Sequence, residues 1–188
     1  PVPDQPIRSS HVPATGASGR VLVVGGGIAG AAVAKYLRVW GGRGIDVTLV
    51  EREPRYQSCI LSNLVLNGSV SLQSLQFDYA RLAQSYGIKV VPGEVLGLDP
   101  VKRTIDIASA GGRTSLAYDR LVLAPGVEFD ALPGLEDPAA QAQVPHAWKA
   151  GAQTAQLQKL LQAMQPGQVF LMTIPAAPST MRTTRSKV

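Results

Sequence analysis

The run RVLVVGGGIAG, residues 20–30, restricts the fold more than any other part of the chain. Residues 20–24 are a short, continuously apolar, β-branched stretch, as a central parallel strand covered on both faces requires. The glycines stop that strand, and IAGAAVAKYLRVW then predicts a helix whose small residues allow close approach to a sheet, with GGRG to end it. IDVTLVE supplies a second strand. The order strand, glycine turn, helix, strand is that of a parallel α/β unit built to hold a dinucleotide.

Gly25, Gly27 and Gly30 form the GxGxxG pattern. The first permits the tight turn, the second lets the backbone approach a pyrophosphate, and the third lets helix and strand pack closely. The helix start then offers unpaired N–H groups and the positive dipole end to phosphates. Glu51 closes the second strand, 21 residues beyond Gly30, where a carboxylate can accept hydrogen bonds from both adenosine ribose hydroxyls. The same charge repels a 2′-phosphate and so disfavours NADP. The glycines alone do not separate FAD from NAD.

Further along, LQSLQFDYARLAQSYG reads as a helix and IKVVPG as a strand. EVLGLDP, RTIDIAS and RTSLAY are short segments between turn signals and predict a small antiparallel meander. RLVLAPG is another buried strand, ending at a Pro-Gly turn. FDALPGLEDPAA reads as a loop, TAQLQKLLQAM as a helix with Leu157, Leu160, Leu161 and Met164 on one face, and GQVFLMTIP as one more strand.

Composition narrows the function classes. Of 188 residues, 45% are hydrophobic, enough for a sizeable core, and the apolar run at 21–34 is broken by glycines and too short for a membrane span. The net charge of +5 comes from scattered Lys and Arg rather than a basic, aromatic-interleaved module, which argues against nucleic-acid binding. A single cysteine excludes an internal disulfide and disfavours a cysteine-based metal site. No metal site is expected. The chain opens on Pro1, so an export signal would lie upstream of it.

The motifs VVGGGIAGAAVAKYLR, VTLVE, YQSCILSNLVLNG, YDRLVLAPG and VPHAWKAGAQT together resemble the flavoprotein subunit of flavocytochrome c sulfide dehydrogenase, over about residues 20–177. The long stretch after Glu51 resembles the segment that runs under the flavin in flavoproteins with two dinucleotide domains. YDRLVLAPG resembles the strand and turn that close the first part of their FAD domain, with Pro125 in place of the usual Thr.

The resemblance implies a Rossmann-like FAD-binding domain, a parallel sheet with helices plus the meander, and only the start of a second nucleotide-binding-like domain. The expected divisions are a flexible lead segment at 1–19, the N-terminal part of the FAD domain at 20–140, a linker helix and first strand of the second domain at 141–177, and a basic tail at 178–188 that departs from the family. It implies FAD as cofactor, with Gly25, Gly27, Gly30, Glu51, Ala124 and Gly126 around it and Cys59 as the covalent anchor to the flavin 8α-methyl group. Read without the resemblance, Cys59 is an ordinary small core residue.

In that family sulfide is oxidised in the periplasm. Sulfur attacks at a redox-active cysteine pair, and electrons pass through flavin to a c-type cytochrome subunit. Both cysteines of that pair are absent here, so no catalytic residue is assigned, and the chain is expected to be a truncated member, inactive alone. The alternatives are a dinucleotide-binding module without catalysis, and a related flavoprotein linked to NAD(P)H or quinone. His146, a potential proton carrier, is expected to be structural, fixing with Trp148 the passage into the next helix.

Overall fold

The computed structural model describes residues 16–129, 134–172 and 181–183. Its elements run β1 (Gly19–Val24), α1 (Ile28–Gly41), β2 (Ile45–Glu51), β3 (Arg55–Gln57), α2 (Asn63–Leu66), β4 (Gln76–Asp78) and α3 (Tyr79–Tyr86). They continue with β5 (Lys89–Pro92), β6 (Glu94–Asp99), β7 (Thr104–Ser109), β8 (Gly112–Ala117), β9 (Arg120–Leu123), β10 (Val127–Phe129), α4 (Pro138–Gln143), α5 (Ala152–Ala163) and β11 (Met181–Thr183). The described chain divides into two compact units, residues 16–56 with 78–126, and residues 57–77 with 127–183.

The first unit is an α/β domain of the expected kind. Its main sheet has the order β5-β2-β1-β9, and every neighbouring pair in it is parallel. Alternate residues of β1 go to opposite faces, and both faces are buried. Val21 and Val23 join Ala34, Val47, Leu49, Tyr79 and Ile88 in one core cluster, while Leu22 joins Val50, Ile105, Ile107 and Tyr118 in another. The antiparallel meander β6-β7-β8 supplies Ile105 and Ile107 to the second cluster. Two-sided burial is the reason that residues 21–24 of β1 lack the polar alternation of a surface strand.

Arg38 ties the end of α1 to its surroundings. Its guanidinium donates to the carbonyls of Tyr86, Gly42 and Ile45 at 2.8, 2.7 and 2.7 Å. At the opening of β1, Arg20 pairs with Asp119 at 2.9 Å, and Asp119 also accepts the Arg20 N–H at 2.8 Å.

In the second unit, α2 and α5 pack together, and β10 pairs antiparallel with β11. Thr154 is fully buried in the first turn of α5; its hydroxyl accepts the Gly151 N–H at 3.3 Å and donates to the Lys149 carbonyl at 3.2 Å.

Four expectations differ from the structure. The helix expected through LQSLQFDYARLAQSYG is confined to α3, because Asp78 caps it by accepting the Ala80 N–H at 2.8 Å. The expected loop before residue 140 contains α4, started by the Asp137 cap with Pro138 in the first turn. No strand occupies 168–172: among the described residues no strand pairs with this run, and Val169, Leu171 and Met172 are 88%, 80% and 73% exposed. Residues 173–175 of that expected strand lie outside the described residues. In the tail, 181–183 form β11, and 184–188 also lie outside them.

Candidate functional site

Parallel pairing brings the carboxyl ends of the strands to one edge of the sheet. Val24 of β1 is in register with Val50 of β2 and Leu123 of β9, and Glu51 with Pro92 of β5. The chain runs outward from β1 through β2 to β5 and later returns to the other side of β1 as β9, so the strand order reverses beside β1, and this is where open α/β sheets leave a crevice for ligands.

Gly25 turns the chain out of β1 at φ +97°, a region open to glycine, and its N–H is held by the Val50 carbonyl at 2.9 Å. A Cβ at Gly25 would stand 2.1 Å from the Ala124 carbonyl oxygen, and one at Gly30 1.8 Å from that of Gly25. Those two glycines therefore let turn, helix and β9 close on one another. Gly27 is different. It has ordinary φ and ψ of −64° and −172°, and a Cβ there would meet nothing within 4 Å. The open volume is outside the turn, at the start of α1, which has no side-chain cap and no acidic residue in its first turn.

Glu51 is drawn into the same edge. One carboxylate oxygen accepts the buried Gly26 N–H at 2.5 Å and the other accepts the Glu53 N–H at 2.9 Å. Each oxygen retains a lone pair for a further donor. Ala124 donates its N–H to the Val24 carbonyl at 2.8 Å, which fixes the Ala124-Pro125-Gly126 turn beside the glycines, and Gly126 takes φ +79°. Gly25, Gly27, Gly30, Glu51, Ala124 and Gly126 thus all lie in the first unit, at the carboxyl end of its sheet.

Cys59 belongs to the second unit. It is exposed, not the core residue that its type alone suggests, and it caps a tight turn. The Cys59 carbonyl accepts the Ser62 hydroxyl at 2.8 Å, the Ser58 hydroxyl accepts the Ile60 N–H at 3.2 Å, and Leu61 is left-handed at φ +65°. The His146 N–H donates to Gln153 of α5 at 3.0 Å, and burial, then Lys149, pushes the His146 imidazole pKa down. Among the described residues no cluster of His, Cys, Asp or Glu could hold a metal, and no helix is long and apolar enough to cross a membrane.

One residue of this site was missed by sequence reasoning. Tyr79, 8% exposed, donates its hydroxyl to the Gly26 carbonyl at 2.9 Å. The available signal was Asp78, a capping residue that starts α3 at Tyr79; nothing in the spacing ties residue 79 to residue 26.

A glycine cradle at a helix start, closed by an acidic residue on the next strand, defines a dinucleotide-binding α/β domain, and its donor set and open front fit an adenosine diphosphate group. The chain belongs to the pyridine nucleotide-disulphide oxidoreductase family, whose model matches residues 19–170. It is 36% identical over 124 residues to the probable ferredoxin reductase CtmF of Castellaniella defragrans, covering 63% of this chain and 29% of that protein. It is 52% identical over 46 residues to the sulfide dehydrogenase [flavocytochrome c] flavoprotein chain of Chlorobaculum thiosulfatiphilum, covering 24% of this chain and 94% of that sequence. Among solved structures, the NAD-dependent persulfide reductase from A. fulgidus superposes with a TM-score of 0.58 at 26% identity, covering 63% of this chain and 24% of that one. The chain therefore spans less than a third of the length of the reductases it matches.

Proposed function

We propose that this chain is the FAD-binding portion of a sulfide-oxidising flavoprotein that hands electrons to a c-type cytochrome partner in the periplasm. The observation that carries the FAD reading is the cradle itself, a Gly27 front open to a phosphate with the Glu51 carboxylate anchored beside it. The likeness to the Chlorobaculum sulfide dehydrogenase flavoprotein supports a small inorganic sulfur compound as the electron source.

In this reading the N–H groups at the start of α1 bind the diphosphate, Glu51 accepts from the ribose hydroxyls, and the turn at Ala124–Gly126 lines the cofactor. Cys59 Sγ would be the group that holds the flavin covalently, through its 8α-methyl group. Bound flavin supplies conversion of a two-electron load into single-electron transfers. With one cysteine, the chain holds no cysteine pair at which sulfur could be oxidised, so it does not turn over alone. The likeness to the NAD-dependent persulfide reductase from A. fulgidus favours, as a second reading, a flavoprotein linked to NAD(P)H.

The test is acid precipitation after incubation with FAD. Flavin fluorescence retained on the precipitate, and lost in Cys59→Ala, is expected. Flavin wholly in the supernatant would overturn the anchor, and sulfide-dependent cytochrome c reduction by this chain alone would overturn the account of turnover. Bleaching of bound flavin by NADH would favour the second reading.

A further inference from the structure

We propose that Tyr79 is a positioning residue of the diphosphate site, holding the peptide between Gly26 and Gly27 so that the Gly27 N–H faces a phosphate oxygen. The inference rests on the FAD reading above and adds a residue to it.

The argument begins with the peptide plane. The carbonyl and the N–H of one trans peptide point in opposite directions. The Tyr79 hydroxyl takes the Gly26 carbonyl at 2.9 Å, on the side of the buried core where the tyrosine ring packs with Leu49 and Ile88. That fixes the carbonyl inward and turns the N–H of the same peptide outward, where the space next to Gly27 is open. Gly26 is gripped on its other side as well, its own N–H being held by Glu51 at 2.5 Å. The turn cannot rotate as a unit without breaking both bonds.

The packing is close enough to make the contact specific. A Cβ at Gly26 would lie 2.5 Å from the Tyr79 oxygen, so the phenol end is seated directly on the glycine backbone. Asp78 caps α3 and thereby sets Tyr79 as its first residue. Burial, and then the Glu51 carboxylate, holds the Tyr79 phenol above its ordinary pKa. The hydroxyl is therefore protonated, and able to donate, near neutral pH.

The experiment compares ADP and adenosine binding to the whole 188-residue chain and to Tyr79→Phe, followed by NMR titration, with thermal unfolding to check the fold. The phenylalanine keeps the ring in the core and removes only the oxygen. Roughly tenfold weaker ADP binding with adenosine affinity unchanged is expected, the scale of a single hydrogen bond to a charged group. Unchanged ADP affinity in the variant would overturn the role of Tyr79 and leave the FAD reading intact. Equal losses for ADP and adenosine would make Tyr79 merely structural and also overturn it. Failure of the unmodified chain to bind either ligand would remove the FAD reading, and this inference with it.

Discussion

The Glu51 carboxylate and the Gly26 N–H are joined at 2.5 Å across the carboxyl edge of the sheet, so the acidic residue braces the turn that it also serves. The two duties can be separated by substitution. Glu51→Ala leaves the buried Gly26 N–H without its acceptor and is expected to cost about 1–3 kcal/mol in chemical denaturation. Glu51→Gln keeps an acceptor oxygen and should cost less. It removes the negative charge, so the preference for ADP over adenosine 2′,5′-bisphosphate, measured by competition, should narrow. A preference that stays the same would show that the carboxylate does not select against the 2′-phosphate.

The three motif glycines should respond differently to alanine. Gly30→Ala forces a Cβ to 1.8 Å from the Gly25 carbonyl, and Gly25→Ala adds a left-handed φ to a similar collision. Each is expected to cost more than about 3 kcal/mol or to prevent folding. Gly27→Ala meets nothing within 4 Å at an ordinary φ and should melt within a few degrees of the unmodified chain. Equal destabilisation at all three positions would contradict the described packing.

Acid stability should depend on the pair at the start of β1. Arg20, through its side chain and then its N–H, holds the Asp119 carboxyl down from its ordinary 3.8 to about 2. A carboxyl with a depressed folded-state pKa binds fewer protons folded than unfolded in this window, so its stabilisation is present above about pH 4 and drains away as pH falls toward 2. Asp119→Asn should therefore flatten that part of a denaturation-against-pH curve. Both side chains are substantially exposed, which keeps the effect small and salt-sensitive.

Arg38 closes three backbone carbonyls at the end of α1. Arg38→Met preserves much of the stem but leaves those acceptors without it, and a loss on the order of 3 kcal/mol is expected in urea denaturation. Arg38→Lys should recover only part, since a point-like ammonium cannot span the three oxygens as the guanidinium does.

The parallel sheet was legible because its central strand β1 is buried on both faces, and an apolar run such as VLVV between polar and glycine punctuation has few other uses. The glycine turn was legible because Gly25 and Gly30 answer local steric demands, and Glu51 because it ends the strand that follows. Tyr79 was not, because its tie to Gly26 bridges 53 residues and exists only after the fold is formed. The run at 169–172 shows the opposite error: an apolar sequence suggests a strand, but pairing needs a neighbour, and among the described residues no ladder forms there. The Asp137-Pro138 signal for α4 was present in the sequence and was outweighed by the glycine and prolines around it. For Cys59 the residue type suggested the core, and its exposure on a braced turn is a tertiary outcome.

The central claim, that the cradle of Gly25, Gly27, Gly30 and Glu51 holds the diphosphate end of FAD, is tested most directly by titrating FAD against the folded chain and against Gly27→Ala, following flavin fluorescence. One FAD bound per chain, with binding lost in the equally well folded Gly27→Ala, is the predicted result. Undiminished binding by that variant, or no binding by the folded unmodified chain, would contradict it.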